Sequence, residues 1–258
     1  MSISGAPTAL RLVRAIEKLT RDESRVPETF DAVRAAVADA PLNEIMPASP
    51  GDHAAALGFA LAWAVAAAKS STGGGVIFWA APEQDFFEDG LPNAEGLAQF
   101  GIELDRLLMV RANSQMDALW AAEQALTTPE TTAICAISPV KKPLNLTATR
   151  RLLLTAEKHK TRCVLLRLDS AGASAAWSRW NISAAPSEGM GRELGAPSFN
   201  AHLIRNRTGP SGLHFNLQWD IHSHAFHDPK AKRDAAMDGA VVLASADRPA
   251  DTQTRNAA

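Results

Sequence analysis

Apolar positions recur along this chain with two different periods, and the change between them organises it. Leu10, Val13 and Ile16 fall at helical spacing with basic residues between them, which predicts a helix over Ala9–Leu19. Pro27–Ala38 is a second short helical pattern with Pro27 near its start, and Pro41 then breaks the chain. Ala54–Lys69 reads as a long helix, stopped by Gly73, Gly74 and Gly75. Short apolar runs and helical patterns then alternate. Strands are expected at Val76–Ala80, Leu107–Arg111, Thr132–Ile137 and Arg162–Leu168, and helices at Asn93–Phe100, Ser114–Leu126 and Thr147–His159. Ser114 is placed to cap its helix with Asp117 three residues on, and Thr147 to cap the next.

Short strands alternating with helices imply βαβ units, hence an α/β fold with a parallel sheet covered on both faces. The near-continuous apolar character of these strands suits that burial. After Asp169 the period becomes two. Trp177–Ser183, Ser198–Asn206 and Leu213–Trp219 alternate apolar and polar residues between Gly/Pro turns, as an antiparallel extension of the sheet would. Three units follow: an N-terminal helical segment (1–40), an α/β core (41–220) and a tail (221–258). The tail is expected to be disordered, since from Asp228 its Ala, Asp, Arg, Pro and Gln show no period.

Composition narrows the field. The 258 residues can bury a sizeable core, and with 46% apolar and 21% charged residues the chain is not globally disordered. A net charge of -2 argues against a wholesale polyanion binder. There is no Tyr, so tyrosyl chemistry is excluded. Cys135 and Cys163 both lie in apolar runs and read as buried thiols in a reducing compartment. Met1–Thr8 lacks the order of a signal peptide, and the 15 apolar residues Ala54–Ala68 are too few and too alanine-rich for a bilayer span. A soluble, cytoplasmic protein without membrane contact is the expectation.

In such a fold the loop before the first long helix is the default ligand site. Here it runs Met46-Pro47-Ala48-Ser49-Pro50-Gly51-Asp52-His53. Against the phosphate-loop pattern G-x-x-x-x-G-K-[ST], Gly51 fills the second glycine, but Met46 replaces the first. Asp52 stands in for the lysine and His53 for the magnesium-holding hydroxyl. A carboxylate about 4 Å from a phosphate oxygen is repulsive by ~4 kcal/mol at an effective dielectric of about 20. Pro50 removes a backbone N–H as well. Asp52 is instead a good helix N-cap. Ala133–Ser138 ends without a magnesium-holding carboxylate, so no catalytic or cofactor-binding residue is assigned. Glu83 and Asp85 begin an acidic run with no Lys or Arg before Asp105, read as a solvated face.

The order of elements and the altered loop resemble a RecA-type ATPase core, and the nearer resemblance is to the ImuA family. Leu42-Asn43-Glu44-Ile45 leads into the loop, followed by Leu57-Gly58-Phe59-Ala60-Leu61-Ala62. Leu107-Leu108-Met109-Val110-Arg111 precedes Asp117–Leu126, and Leu144–Leu152 runs on to Leu165-Leu166-Arg167. The last passage joins Ser178-Arg179-Trp180, Ala184–Ser187, Leu203–Arg207 and Gln218-Trp219-Asp220. Asn145 departs from the family pattern, which more often has an acidic residue there. The resemblance covers Leu42 to Asp220. It implies a RecA-like core and a non-catalytic adaptor in SOS-induced, error-prone translesion DNA synthesis after DNA damage. The implied partners are ImuB, an inactive relative of Y-family polymerases, an error-prone C-family DNA polymerase reached through it, and RecA. The alternatives are a SulA-like inhibitor of cell division and a RecA-type ATPase with an unorthodox site.

Charge is unevenly spread. Lys141, Lys142, Arg150, Arg151, Lys158, Lys160, Arg162 and Arg167 face a single acid, Glu157, within Lys141–Arg167. Lys141, Lys142, Arg150 and Arg151 are the candidates for contact with an acidic partner or, weakly or indirectly, with DNA phosphates. His222, His224 and His227 lack an evident fourth ligand, so no metal is assigned. Trp177, Trp180 and Trp219 are expected in the core or at its rim.

Overall fold

The strand at the centre of the sheet is one that periodicity does not announce. Leu42–Pro47 (β1) is buried at every position, yet its sequence LNEIMP carries Asn43 and Glu44 and ends in proline. Both polar side chains have partners. Asn43 Nδ2 donates to Ala40 O (3.2 Å), and its Oδ1 accepts from Ser178 Oγ, which in turn accepts from Trp180 Nε1 (3.1 Å). Hydrogen-bonded in this way, Asn43 can occupy the middle of a core.

The computed structural model describes residues 40–69, 75–137, 144–167, 172–187 and 195–229. The two helices expected within 1–40, Lys141 and Lys142, and the chain beyond 229 lie outside them. The described chain continues from β1 through a 3-10 turn (Pro50–Asp52) into helix α1 (His53–Lys69), then β2 (Val76–Pro82), α2 (Glu83–Asp89) and α3 (Ala94–Gln99). A second 3-10 turn (Leu104–Arg106) leads to β3 (Leu107–Ala112), α4 (Gln115–Ala125), β4 (Thr131–Ile137), α5 (Leu146–His159) and β5 (Arg162–Arg167). The strands β6 (Ser178–Ala184), β7 (Ser198–Asn206), β8 (Leu213–Asp220) and β9 (Ala225–His227) complete one sheet of order β3-β2-β4-β5-β1-β6-β7-β8-β9. Strands β1 to β6 pair in parallel, and β6 to β9 antiparallel. This is the α/β sheet, flanked by helices and extended by antiparallel strands, that the pattern implied.

The two faces are packed differently. On one, α1 lies over β4, β5, β1 and β6, and its Phe59 and Trp63 meet Trp180, Phe199 and Phe226 with ring centroids 4.9–6.4 Å apart. By length and composition Pro50–Lys69 could cross a membrane, but ten of α1's residues are buried inside the protein, as a core helix requires. On the other face α4 and α5 pack small side chains against β2, β4 and β5, around Cys135 and Cys163. Burial pushes the Cys135 thiol up to about 12 and holds Cys163 well above its ordinary value, aided by Cys135. Neither supplies a thiolate at neutral pH.

Ser114 caps α4, accepting from Asp117 N (3.2 Å) while donating to its carboxylate (2.8 Å). Asn145, not Thr147, caps α5 by accepting from Ala148 N (2.9 Å). The residue that departs from the family pattern therefore still supplies a cap oxygen. α2 occupies an acidic stretch to which the pattern assigns no element, and the sheet runs past Asp220 into β9, because Phe226 is buried against Trp219 and Phe59.

Candidate functional site

The loop between β1 and α1 lies at the carboxyl ends of the parallel strands, where α/β sheets place their ligands. A phosphate cradle needs free backbone N–H groups pointing at one centre. Here Pro47 and Pro50 have none, Ala48 N donates to Ile182 O (2.8 Å), and Asp52 N donates to Ser49 O (3.0 Å). Asp52 does not cap α1 in the expected way. Its Oδ1 accepts from Ala184 N (3.0 Å) and its Oδ2 from Ser49 Oγ (2.6 Å), so the carboxylate ties the loop to the end of β6. The Ser49 hydroxyl, and after it the Ala184 N–H, hold the Asp52 carboxyl below its ordinary 3.8. A charged acceptor stands at the phosphate-loop lysine's place. Gly51 has ample room for a Cβ, which would meet Ser49 Oγ at 3.9 Å, so no close backbone approach requires a glycine there.

Beside this loop is a cavity of about 500 Å3. It opens between α1, α2 and the ends of β2, β4 and β5, with His53 and Asp85 among its polar residues. Asp85 corrects the reading of the acidic run as a solvated face: it is only 8% exposed. Glu83 fits that reading better, being half-exposed and 3.8 Å from Arg111.

No family model matches the chain. Two curated proteins named ImuA, from Caulobacter vibrioides strains NA1000 / CB15N and ATCC 19089 / CIP 103742 / CB 15, are each 34% identical to it over 154 residues. Over that stretch the chain is similar to ImuA. The matched part is 54% of this chain and spans 59% of the length of those relatives. The crystal structure of the RadB recombinase covers 76% of this chain at a TM-score of 0.50, 13% sequence identity and 96% of its own length. The fold of this chain is therefore RecA-like. A looser likeness, at a TM-score of 0.39 and 19% identity, is to SulA from Pseudomonas aeruginosa, over 50% of this chain and 99% of that one.

The basic stretch is less of a surface than its composition suggests. Arg167 is fully buried and donates from Nη1 to Glu44 Oε1 (3.1 Å), which also accepts from Arg179 Nη2 (2.9 Å). Arg162 Nη1 donates to Ala67 O at the end of α1 (3.1 Å). Arg151 grips Glu123 of α4 with two hydrogen bonds of 2.6 and 3.3 Å. Of the described candidates, Arg150 and Arg151 are exposed, on adjacent residues of α5. The buried Glu44 triad was missed. Its signal was a carboxylate inside an apolar run, facing a basic residue at the end of another.

The histidine group disperses. Asp220 Oδ1 accepts from His222 N (2.8 Å) and Ser223 N (3.2 Å), His227 Nε2 lies 3.7 Å from Asp220 Oδ2, and His224 Nδ1 meets Lys69 Nζ. Among the described residues no three His, Cys, Asp or Glu side chains gather as a metal site. Trp180 and Trp219 are fully buried, and Trp177 is half-buried with Arg207 5.6 Å above its ring.

Proposed function

We propose that this chain is a non-catalytic RecA-like adaptor in SOS-induced, error-prone translesion DNA synthesis. It binds an ImuB-like inactive relative of Y-family polymerases in the cytoplasm, reaches an error-prone C-family DNA polymerase through it, and contacts RecA. Homology to ImuA supports the setting. The single observation that carries the non-catalytic part is Asp52, whose carboxylate holds the lysine's place and is itself bound by Ala184 N and Ser49 Oγ. An NTPase needs a cation and a magnesium-holding hydroxyl there; this loop offers an anion and an imidazole. Lys141, Lys142, Arg150 and Arg151 are the proposed contacts with an acidic partner surface or with DNA.

Two measurements test the reading. Calorimetric titration with Mg·ATP is expected to give no heat of binding up to millimolar nucleotide, and micromolar, magnesium-dependent binding overturns the non-catalytic assignment. Purified ImuB is expected to be retained on the immobilised chain, and failure of retention overturns the adaptor role.

A further inference from the structure

We propose that the cavity beside α1 is a binding site for an uncharged, mainly apolar ligand that carries a hydrogen-bond acceptor. Its walls are Leu57, Leu61, Trp79, Phe86, Leu91 and Leu166, and no Lys or Arg lines it among the described residues. The Asp85 carboxylate in the lining opposes a phosphorylated ligand. At about 500 Å3 the space falls within the range of small-molecule sites.

Its position in the fold favours a ligand. After β2 the chain turns to the α1 face through α2 and α3, and after β4 it crosses to the opposite face through α5. The crevice between two neighbouring strands whose connections diverge is where open α/β sheets bind ligands.

Trp79 supplies the polar specification. Its ring borders the cavity and packs against Phe86 at 6.2 Å, and the residue is 4% exposed. Yet its Nε1–H is buried without a hydrogen-bond partner among the described residues. Native interiors rarely leave a donor in that state. A ligand carbonyl or ring nitrogen fits both the donor and the walls. The proposal stands apart from the adaptor reading and survives its failure.

The test uses the full chain and two fluorescent probes. One is 6-propionyl-2-(dimethylamino)naphthalene, an uncharged aryl ketone; the other is 2-(dimethylamino)naphthalene, which lacks the ketone. The ketone is expected to bind saturably at one site with blue-shifted emission, about tenfold tighter than its analogue, the factor that one net hydrogen bond supplies. Trp79→Phe should remove that advantage while leaving the analogue's affinity within about twofold, and Leu57→Trp, which fills the space from a half-buried position, should abolish both. Circular dichroism checks that each variant folds. If Trp79→Phe does not fold, the ketone-to-analogue ratio in the parent chain decides the matter. Absence of saturable binding, equal affinity for the two probes, or ketone binding that survives Leu57→Trp unchanged overturns the proposal.

Discussion

Asp52 shows how one side chain can change what a loop is for. Its carboxylate accepts from Ala184 N and Ser49 Oγ, and so clamps the β1–α1 loop to the end of β6. The fold thus favours the ionised form, with a pKa below the ordinary 3.8. That contribution is complete above the unfolded value and is lost as pH falls through the lower folded one. Urea unfolding should show the parent chain losing stability below about pH 4 more steeply than Asp52→Asn. Asp52→Ala should cost about 1 kcal/mol at neutral pH, one to two net hydrogen bonds' worth of stability in an exposed setting. Glu44 is the opposite case. It is fully buried between Arg167 and Arg179, and Glu44→Gln leaves two guanidinium groups without their carboxylate. Breaking a buried ion pair costs about 3–5 kcal/mol, which chemical denaturation would register as a large drop in midpoint. The substituted phosphate loop was legible residue by residue, because its spacing is fixed by the chemistry it lacks. What Asp52 binds instead was not, since Ala184 lies 132 positions away.

Among elements, α1 carries most of one core face, and its sequence says so only in part. Alanine and leucine made it a buried helix, but the packing is aromatic: Phe59 touches Trp63, Trp180, Phe199 and Phe226. Those rings come from β6, β7 and β9 as well as α1, a convergence that no local pattern could announce. Phe59→Ala should destabilise the chain by about 3–5 kcal/mol in equilibrium unfolding. Gly101 marks a second such meeting. It has φ +98, and a Cβ there would lie 2.6 Å from His224 Nε2, so Gly101→Ala should lower the melting temperature by several degrees. The alternating strands and helices were readable because each buries one face at its own period. β1 escapes a pattern reading because two of its six residues are polar, and the partners that hold Asn43 Oδ1 and Glu44 Oε1 lie far along the chain.

Across the whole molecule, the near-zero net charge conceals a division. The basic candidates lie toward α5 and the chain before it, while Glu83, Glu95, Glu103 and Asp105 lie between β2 and β3. Reversal of Lys141, Lys142 and Arg151 to Glu is expected to weaken ImuB or DNA retention about tenfold or more, with an effect that fades at high salt. Unchanged retention of both would make the patch inert. Part of this basic stretch was misread because composition counts a buried Arg167 and a solvent-facing Arg150 alike.

The place of β1 in the sheet has a consequence for how the chain must be made. Leu42 pairs with Cys163, and Asn43 with Ser178. During synthesis the strand therefore waits for about 120–135 more residues before either flank is covered. Contacts so distant along the chain slow folding and prolong the exposure of apolar surface. A nascent chain that stops at Ile137 would hold β2, β3 and β4 with no strand to join them to β1. The ribosome must deliver both β5 and β6 before β1 is flanked on its two sides.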